Sequence, residues 1–183
     1  VFWLVSCQTY RGPGDLSIGS ESAEYDEETA TSGGPTVTWS GARKYERPDQ
    51  PFQFDWPVDD AKLSRGFLTG GRRSHWGLDL ANKKNTPILA SERGVVIYTG
   101  RGFRGFGNLV VVEHNDEWAT LYAHLNAISV REGAIVKQGQ KLGTMGRTGR
   151  ATGVHLHFEI RHNRQPVNPL AYLPGGLGSI ETP

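Results

Sequence analysis

The sequence predicts an all-β fold, an antiparallel β-sheet or sandwich domain, preceded by a flexible N-terminal tail. The 183 residues include 24 glycines and 10 prolines, a turn-rich composition that suits short strands better than long helices. From Phe52 onward, apolar runs of strand length alternate with glycine turns, and no convincing helical stripe competes with them. The length allows one domain of roughly 150 residues together with a tail.

The first seven residues resemble the end of a truncated lipoprotein signal. An apolar stretch leads to Cys7, the only cysteine, and the sequence turns polar directly after it. Residues 4–7 resemble a bacterial lipobox, in which the cysteine sulfur carries a lipid, and acyl chains contribute about 0.8 kcal/mol per buried CH₂. The alternative is a lone buried thiol. We expect lipidation at Cys7, and Gln8 after it resembles the pattern sorted to the outer membrane.

Residues 8–50 are interpreted as a flexible acidic linker. Residues 8–41 contain six acidic residues against one arginine, whereas residues 42–183 contain 19 Lys and Arg against 13 Asp and Glu. The basic excess suits an anionic polymer, and it is equally compatible with a solvated surface. The formal net charge of +1 gives no indication of a nucleic-acid partner, and no run of 18 apolar residues predicts a membrane span.

The domain is predicted over residues 52–173, with 174–183 as a flexible C-terminal tail. His114 to Glu117 separates two apolar runs and is predicted to be a hairpin turn. The strand candidates, in order, are Ile88–Ala90, Gly94–Tyr98, Asn108–His114, Ala119–His124, Ala134–Val136, Lys141–Thr144 and His155–Arg161.

A metal site in this chain would have to use histidine and carboxylate ligands. One cysteine excludes a disulfide framework and a zinc ribbon, while six histidines are available. A single histidine on a strand is usually an ordinary hydrogen-bonded residue, and we interpret His114 and His162 in this way. The remaining histidines fall in three segments, at 74–79, 121–125 and 153–159.

Strand alternation gives these segments a stereochemical meaning. Successive side chains of a strand point to opposite faces, so His155, His157 and Glu159 should share one face while their apolar neighbours pack on the other. By the same parity, Tyr122 and His124 should share a face. Two strands with imidazoles on one face, together with a nearby His and Asp, are the ingredients of a His/His/Asp metal site with an open position for water.

These segments resemble the LytM/lysostaphin-type family of zinc metallopeptidases, which cleave cross-links and stem peptides of bacterial peptidoglycan. The resemblance covers residues 56–173, with the motifs in family order. It implies that His75, Asp79 and His157 bind one Zn²⁺, and that His124 and His155 are the two catalytic histidines that do not bind it. The segments that carry it are 75–81, 86–88, 94–96, 107–110, 120–125, 139–143, 152–159 and 167–173.

The function implied is that of a zinc-dependent endopeptidase acting on peptidoglycan during cell-wall remodelling. The metal would lower the pKa of its bound water, and His124 or His155 would accept the proton, with the assignment left open. Glu159 is expected to be either a partner of an imidazole N–H or an ordinary salt bridge. Tyr122, on the predicted groove face, is a candidate substrate contact.

Two other functions are compatible with parts of the sequence. Some members of the family lack metal ligands and activate cell-wall amidases, so a non-catalytic activator is the main alternative, with an amidase or division proteins as partners. Residues 130–140 resemble the strand-turn-strand unit of biotinyl and lipoyl carriers, which would leave the histidines unexplained. In either family role, we expect the chain in the cell envelope, lipid-anchored at the periplasmic face of the outer membrane or secreted.

Overall fold

The computed structural model describes residues 52–71 and 74–175, and it confirms the all-β prediction. Within these ranges the only helical element is a 3₁₀ turn at Pro169–Ala171. None of the described helices is long and apolar enough to cross a membrane. The strands are β1 (Lys62–Arg65), β2 (Leu78–Ala81), β3 (Pro87–Leu89), β4 (Gly94–Gly100), β5 (Asn108–Glu113), β6 (Trp118–Ile128), β7 (Ile135–Val136), β8 (Lys141–Met145), β9 (His155–His162) and β10 (Gln165–Val167).

The strands form one antiparallel sheet in the order β1-β2-β9-β6-β5-β4-β7, with β10 paired to β9 and with β8 joining β3 to β6. Strand β9 therefore lies between β2 and β6. His157 is opposite Asp79 on one side and opposite Ala123 on the other. This register brings the three histidine-bearing segments of the sequence to adjacent strands.

The alternation predicted for β9 is confirmed. Leu156, Phe158 and Ile160 pack in the main hydrophobic core, and the face that carries His157 and Glu159 lies on the other side of the strand. A smaller apolar cluster covers part of that second face, and its members include Leu121 and Ala123 of β6. The sheet is thus buried on both faces next to the histidines, so polar groups there are largely removed from water.

Each of the seven predicted strands has a counterpart in the structure. Strand β6 is longer than predicted, because it continues past His124 to Ile128. Three strands were not predicted, namely β1, β2 and β10, each only three or four residues long. Strand β2 pairs closely with β9 because Gly77 precedes it: a Cβ there would lie 2.3 Å from the Phe158 carbonyl oxygen.

The predicted tail segments lie mostly outside the described residues. This applies to the truncated signal with Cys7, to the linker over 8–50 and to residues 176–183. At the end of the domain, the Trp56 indole N–H donates to the Pro174 carbonyl at 3.0 Å. The chain is therefore still hydrogen-bonded one residue beyond the predicted boundary at 173.

Candidate metal centre

Three side chains from β2, β9 and the segment before β2 meet at one point. His75 Nε2 lies 2.9 Å from Asp79 Oδ1 and 3.1 Å from His157 Nδ1, and His157 Nδ1 lies 2.8 Å from the same carboxylate oxygen. His75 and His157 are buried, and Asp79 is partly buried. These three residues have the composition and convergence of a metal-binding group.

The opposite nitrogen of each imidazole is held by a fixed acceptor. His75 Nδ1 lies 2.7 Å from the Gly66 carbonyl oxygen, and His157 Nε2 lies 3.0 Å from Glu159 Oε1. Because those nitrogens must carry the protons, the lone pairs of His75 Nε2 and His157 Nδ1 both face the Asp79 oxygen. Three electron-rich atoms converge, an arrangement that needs a cation or an extra proton between them. The donor set therefore fits Zn²⁺.

The electrostatics of the group support the same reading. Burial disfavours the charged form of His157, but hydrogen bonds with Asp79 and Glu159 outweigh it and raise its pKa to about 9 in the absence of metal. Burial also acts against ionised Asp79, yet its hydrogen bonds with His157 and His75 hold the pKa of this carboxyl well below its usual range. The site thus favours a positive charge beside a carboxylate.

His124 reaches the same face of the sheet by a different route from the one predicted. Its backbone φ is +64°, in the left-handed region, and β6 has one extra residue against β5 at this point. The parity of the strand therefore changes between Tyr122 and His124. Strand alternation alone would have turned the imidazole into the core. The ring instead lies 4.7 Å from the ring of His155 and 6.0 Å from that of His157, between centroids.

Two loops hold His124 in this unusual conformation. The Phe106 carbonyl accepts the His124 backbone N–H at 2.8 Å, and His124 Nδ1 lies 2.8 Å from the Thr148 carbonyl oxygen. The loops contact each other so closely that a Cβ on Gly107 would lie 2.4 Å from the Thr148 carbonyl carbon. Burial, reinforced by the neighbouring His155, lowers the pKa of His124 to about 4, so its imidazole is neutral at pH 7.

His155 lies at the edge of the same cluster. Its Nδ1 is 3.1 Å from the Gly153 carbonyl oxygen, and its Nε2 is 3.7 Å from Asp79 Oδ1. Both non-ligating histidines thus use Nδ1 on a backbone carbonyl, which leaves Nε2 as the nitrogen available to a substrate or to water. The structure brings together all five residues that the resemblance implied.

The Tyr122 prediction is wrong. Its side chain is fully buried in the main core, and its hydroxyl accepts a hydrogen bond from the Ser91 backbone N–H at 2.8 Å. The physical reason is the extra residue in β6: Tyr122 keeps the parity of the core-facing side chains, and His124, beyond the bulge, does not. Tyr122 therefore has no exposed surface that a substrate could contact.

The sequence left two interpretations of Glu159, and the structure contains both contacts. One carboxylate oxygen faces His157, and the other accepts from Arg161 Nε at 2.8 Å. His114 and His162 are ordinary histidines, as expected. His114 is buried and hydrogen-bonded, and His162 stacks on Trp118 at 4.2 Å between ring centroids.

Backbone groups at the site were not identified from the sequence. The carbonyls of Gly66, Phe106 and Thr148 orient His75 and His124, and a carbonyl carries no residue-specific signal. The glycines of the segment 101–107 were the available indication, because they permit the close contact between the two loops.

Residues 73–169 match the family model described as Peptidase family M23. The chain belongs to this family. The match includes the five site residues and the sheet that carries them, and it contains the segment over 130–140 that resembled a carrier domain. The resemblance to LytM/lysostaphin-type domains drawn from the motifs is thereby confirmed.

Similar proteins include both named activators and solved peptidases. The chain is 44% identical over 120 residues to the murein hydrolase activator NlpD of Salmonella dublin, an alignment that covers 65% of this chain and 31% of that protein. It is 43% identical over 119 residues to a lipoprotein NlpD/LppB homolog of Pseudomonas aeruginosa, covering 65% and 39%. This chain therefore matches only about a third of the length of these relatives.

Two solved structures show the same fold. A zinc containing peptidase from Vibrio cholerae superimposes with a TM-score of 0.60 and 34% identity, covering 72% of this chain and 41% of that one. The catalytic domain of lysostaphin from Staphylococcus simulans gives a TM-score of 0.56 and 29% identity, covering 62% and 92%.

Proposed function

We propose that this protein acts in the remodelling of peptidoglycan in the cell envelope. Membership of peptidase family M23 supports a role in the cell wall, and relatives at 43–44% identity carry names that refer to murein hydrolases or lipoproteins. Two roles are compatible with this proposal. The named relatives and the geometry of the metal centre each favour a different one.

The named relatives support the first role, activation of a murein hydrolase, better than the second. Several of the most similar proteins, from more than one enterobacterial species, are named murein hydrolase activators. In this role the domain would bind a cell-wall amidase and increase its turnover. The five histidine and aspartate residues would then not be needed for peptide hydrolysis by this chain.

The second role is zinc-dependent hydrolysis of peptide bonds in peptidoglycan stems or cross-links. One observation favours it: His75, Asp79 and His157 direct three lone pairs to one point, with the outer nitrogens of both imidazoles fixed by acceptors. A domain that only bound a partner protein would not require this arrangement. Bound Zn²⁺ would polarise the scissile carbonyl and acidify water at that point.

In this role, the protein side chains have separate tasks. His75 Nε2, Asp79 Oδ1 and His157 Nδ1 would hold the metal. His124, neutral at pH 7 with its Nδ1–H on the Thr148 carbonyl, would present Nε2 as a proton acceptor. His155 has the same arrangement on the Gly153 carbonyl. Either of the two could accept at Nε2 the proton of the attacking water and then pass it to the leaving amine.

One experiment separates the roles. The full chain is purified, its zinc content is measured, and it is incubated with cross-linked peptidoglycan, alone and with a cell-wall amidase. An enzyme gives one zinc per chain and new muropeptides without the amidase, and a His124→Ala variant gives none. An activator releases nothing alone and stimulates the amidase, with His124→Ala as effective as the unaltered protein. If the protein releases no product and does not stimulate the amidase, both roles are refuted.

Localisation in the cell envelope with a lipid on Cys7 is part of the proposal. The names of relatives as lipoproteins support it, while Cys7 itself lies outside the described residues. A Cys7→Ser variant, expressed with its native upstream sequence, should move from the membrane fraction to the soluble fraction. Retention in the membrane fraction would contradict lipid anchoring at this residue.

A further inference from the structure

Three side chains form a buried row on the face of β9 that carries His157, opposite the main hydrophobic core. His157 Nε2 lies 3.0 Å from Glu159 Oε1, and Arg161 Nε donates to Glu159 Oε2 at 2.8 Å. Their spacing of two residues along the strand puts them on one face. Glu159 is 2% exposed and Arg161 is 6% exposed, so the row is almost completely removed from water.

Burial of the charged Glu159 and Arg161 side chains among apolar neighbours costs free energy, so packing alone does not explain their presence. Leu121 is opposite Glu159 on β6, and Ala119 is opposite Arg161, so the neighbouring strand offers no polar side chain there. The Glu159 carboxylate is instead paired with the Arg161 guanidinium and faces the imidazole of His157. Buried ion pairs of this kind are often no more stabilising than apolar residues of similar size.

The two candidate imidazole ligands are oriented by different means. His75 is held by a backbone carbonyl, that of Gly66, which no side-chain substitution can remove. His157 is held by the carboxylate of Glu159. A carboxylate that accepts the outer N–H of a ligating histidine fixes its tautomer and raises the basicity of the metal-facing nitrogen.

We propose that Glu159, kept in place by Arg161, is a positioning residue that fixes His157 with Nδ1 toward the metal and thereby sets the affinity of the site for Zn²⁺. This inference depends on the metal site described under the proposed function, but it applies whether the chain is an enzyme or an activator. It assigns the buried row to metal affinity, whereas a simple salt bridge would affect only the stability of the fold.

The test measures zinc affinity, by competition with a chromophoric chelator, in the full chain and in three variants. Glu159→Ala removes the acceptor and should weaken zinc binding about 10- to 100-fold. Glu159→Gln has a single oxygen for two donors, so we expect a smaller loss. Arg161→Met leaves the carboxylate on His157 but removes the group that holds it, and it should also weaken binding. The thermal midpoint of each metal-free variant shows whether it folds.

A matched control separates positioning from general destabilisation. Thr120→Val removes the hydroxyl that makes two buried hydrogen bonds, to Tyr122 and to His114, on the opposite, core-facing side of the sheet. This variant should lower the thermal midpoint while keeping the zinc affinity of the unaltered protein. Equal loss of affinity in Thr120→Val and Glu159→Ala would overturn the proposal.

A spectroscopic signature tests the orientation of His157 directly. In the zinc-loaded protein, two-bond ¹H–¹⁵N correlation spectra should show His157 protonated at Nε2, with slow exchange of that proton. Exchange should accelerate in Glu159→Ala and much less in Glu159→Gln. Unchanged zinc affinity and unchanged exchange in the Glu159 variants would refute the inference, whereas failure of the unaltered protein to bind zinc would instead refute the metal site.

Discussion

The two faces of the sheet each bury a polar cluster that contains histidine, and the clusters differ in how their donors and acceptors are matched. On the core side, the Tyr122 hydroxyl accepts from the Ser91 N–H and from the Thr120 hydroxyl. Thr120 Oγ1 also lies 2.9 Å from His114 Nε2, and His114 Nδ1–H donates to the Arg93 carbonyl. Each of these polar groups has a hydrogen-bond partner within the cluster. On the metal-site side, His75 Nε2, His157 Nδ1 and Asp79 Oδ1 face one another, and a cation or an extra proton must lie between them.

This difference explains why buried histidines are not interchangeable evidence for a metal. The core cluster is complete as a neutral network and gains nothing from a cation. The groove cluster has its outer nitrogens committed to Gly66 and Glu159, so its inner lone pairs remain to be neutralised. The direction in which the hydrogen bonds run, rather than the number of histidines, separates a structural network from a candidate metal centre.

Removal of an imidazole from the group of His75, Asp79 and His157 should have the largest effect. We expect His157→Ala to abolish stoichiometric zinc binding. The loss of zinc affinity should exceed about 10- to 100-fold, the effect typical of removing a residue that only orients a ligand. His114→Ala, the matched change on the core side, should keep one zinc per folded chain while losing stability. Zinc is measured by mass spectrometry of the metal after dialysis. One zinc per chain in His157→Ala would contradict the ligand assignment.

Metal removal should destabilise the protein only when the group of His75, Asp79 and His157 is intact. Because a ligand that binds only the folded state stabilises it by mass action, free zinc at 1,000 times its dissociation constant should add about 4.1 kcal/mol to the free energy of unfolding. Thermal or denaturant unfolding with zinc, compared with unfolding in chelator, measures this. His157→Ala should show no difference between the two conditions, and a core-side variant should show the full difference.

Acid should destabilise the folded protein through the core-side histidine, His114. Burial lowers the pKa of His114 from 6.5 to about 4, so the folded state resists the proton that the unfolded state accepts. The contribution of neutral His114 to the free energy of unfolding is fully present above about pH 6.5. About 3 kcal/mol of it is lost as the pH falls from 6.5 toward 4. Chelator-treated protein and a His114→Gln variant are unfolded with denaturant across this range. The unaltered protein should lose more stability on acidification than His114→Gln, and parallel curves would contradict the assignment.

Much of this arrangement is predictable from residue order alone. The alternation of polar and apolar residues from Val154 to Arg161 identifies both faces of β9. The resemblance to the LytM/lysostaphin-type family adds His75, Asp79 and His157 as candidate ligands, which the pattern alone does not assign. The three short strands were missed because three or four residues carry too little periodicity. Strand β2 in particular forms because Gly77 permits close approach to β9, which is a tertiary effect.

The position of His124 could not be predicted by strand parity. A bulge in β6 between Tyr122 and His124 changes the face to which His124 points, and the carbonyls of Phe106 and Thr148, from loops distant in the sequence, hold His124 there. The family resemblance predicts His124 at the site, where the structure has it, whereas the parity argument placed Tyr122 incorrectly on the same face. A family motif already includes the effect of such a bulge on the position of its histidine, whereas strand alternation gives no information about the bulge.

The smallest expected effect concerns Tyr122, and it tests the bulge itself. Tyr122→Phe removes only the hydroxyl, which leaves the buried Ser91 N–H without its acceptor, so we expect a loss of about 1–3 kcal/mol in the free energy of unfolding. Zinc affinity, and peptide hydrolysis or amidase stimulation, should stay at the level of the unaltered protein, because the ring faces the core. Denaturant unfolding and the chelator competition measure the two quantities. Loss of zinc affinity or activity with unchanged stability would instead place Tyr122 on the groove face, on the same side as His124.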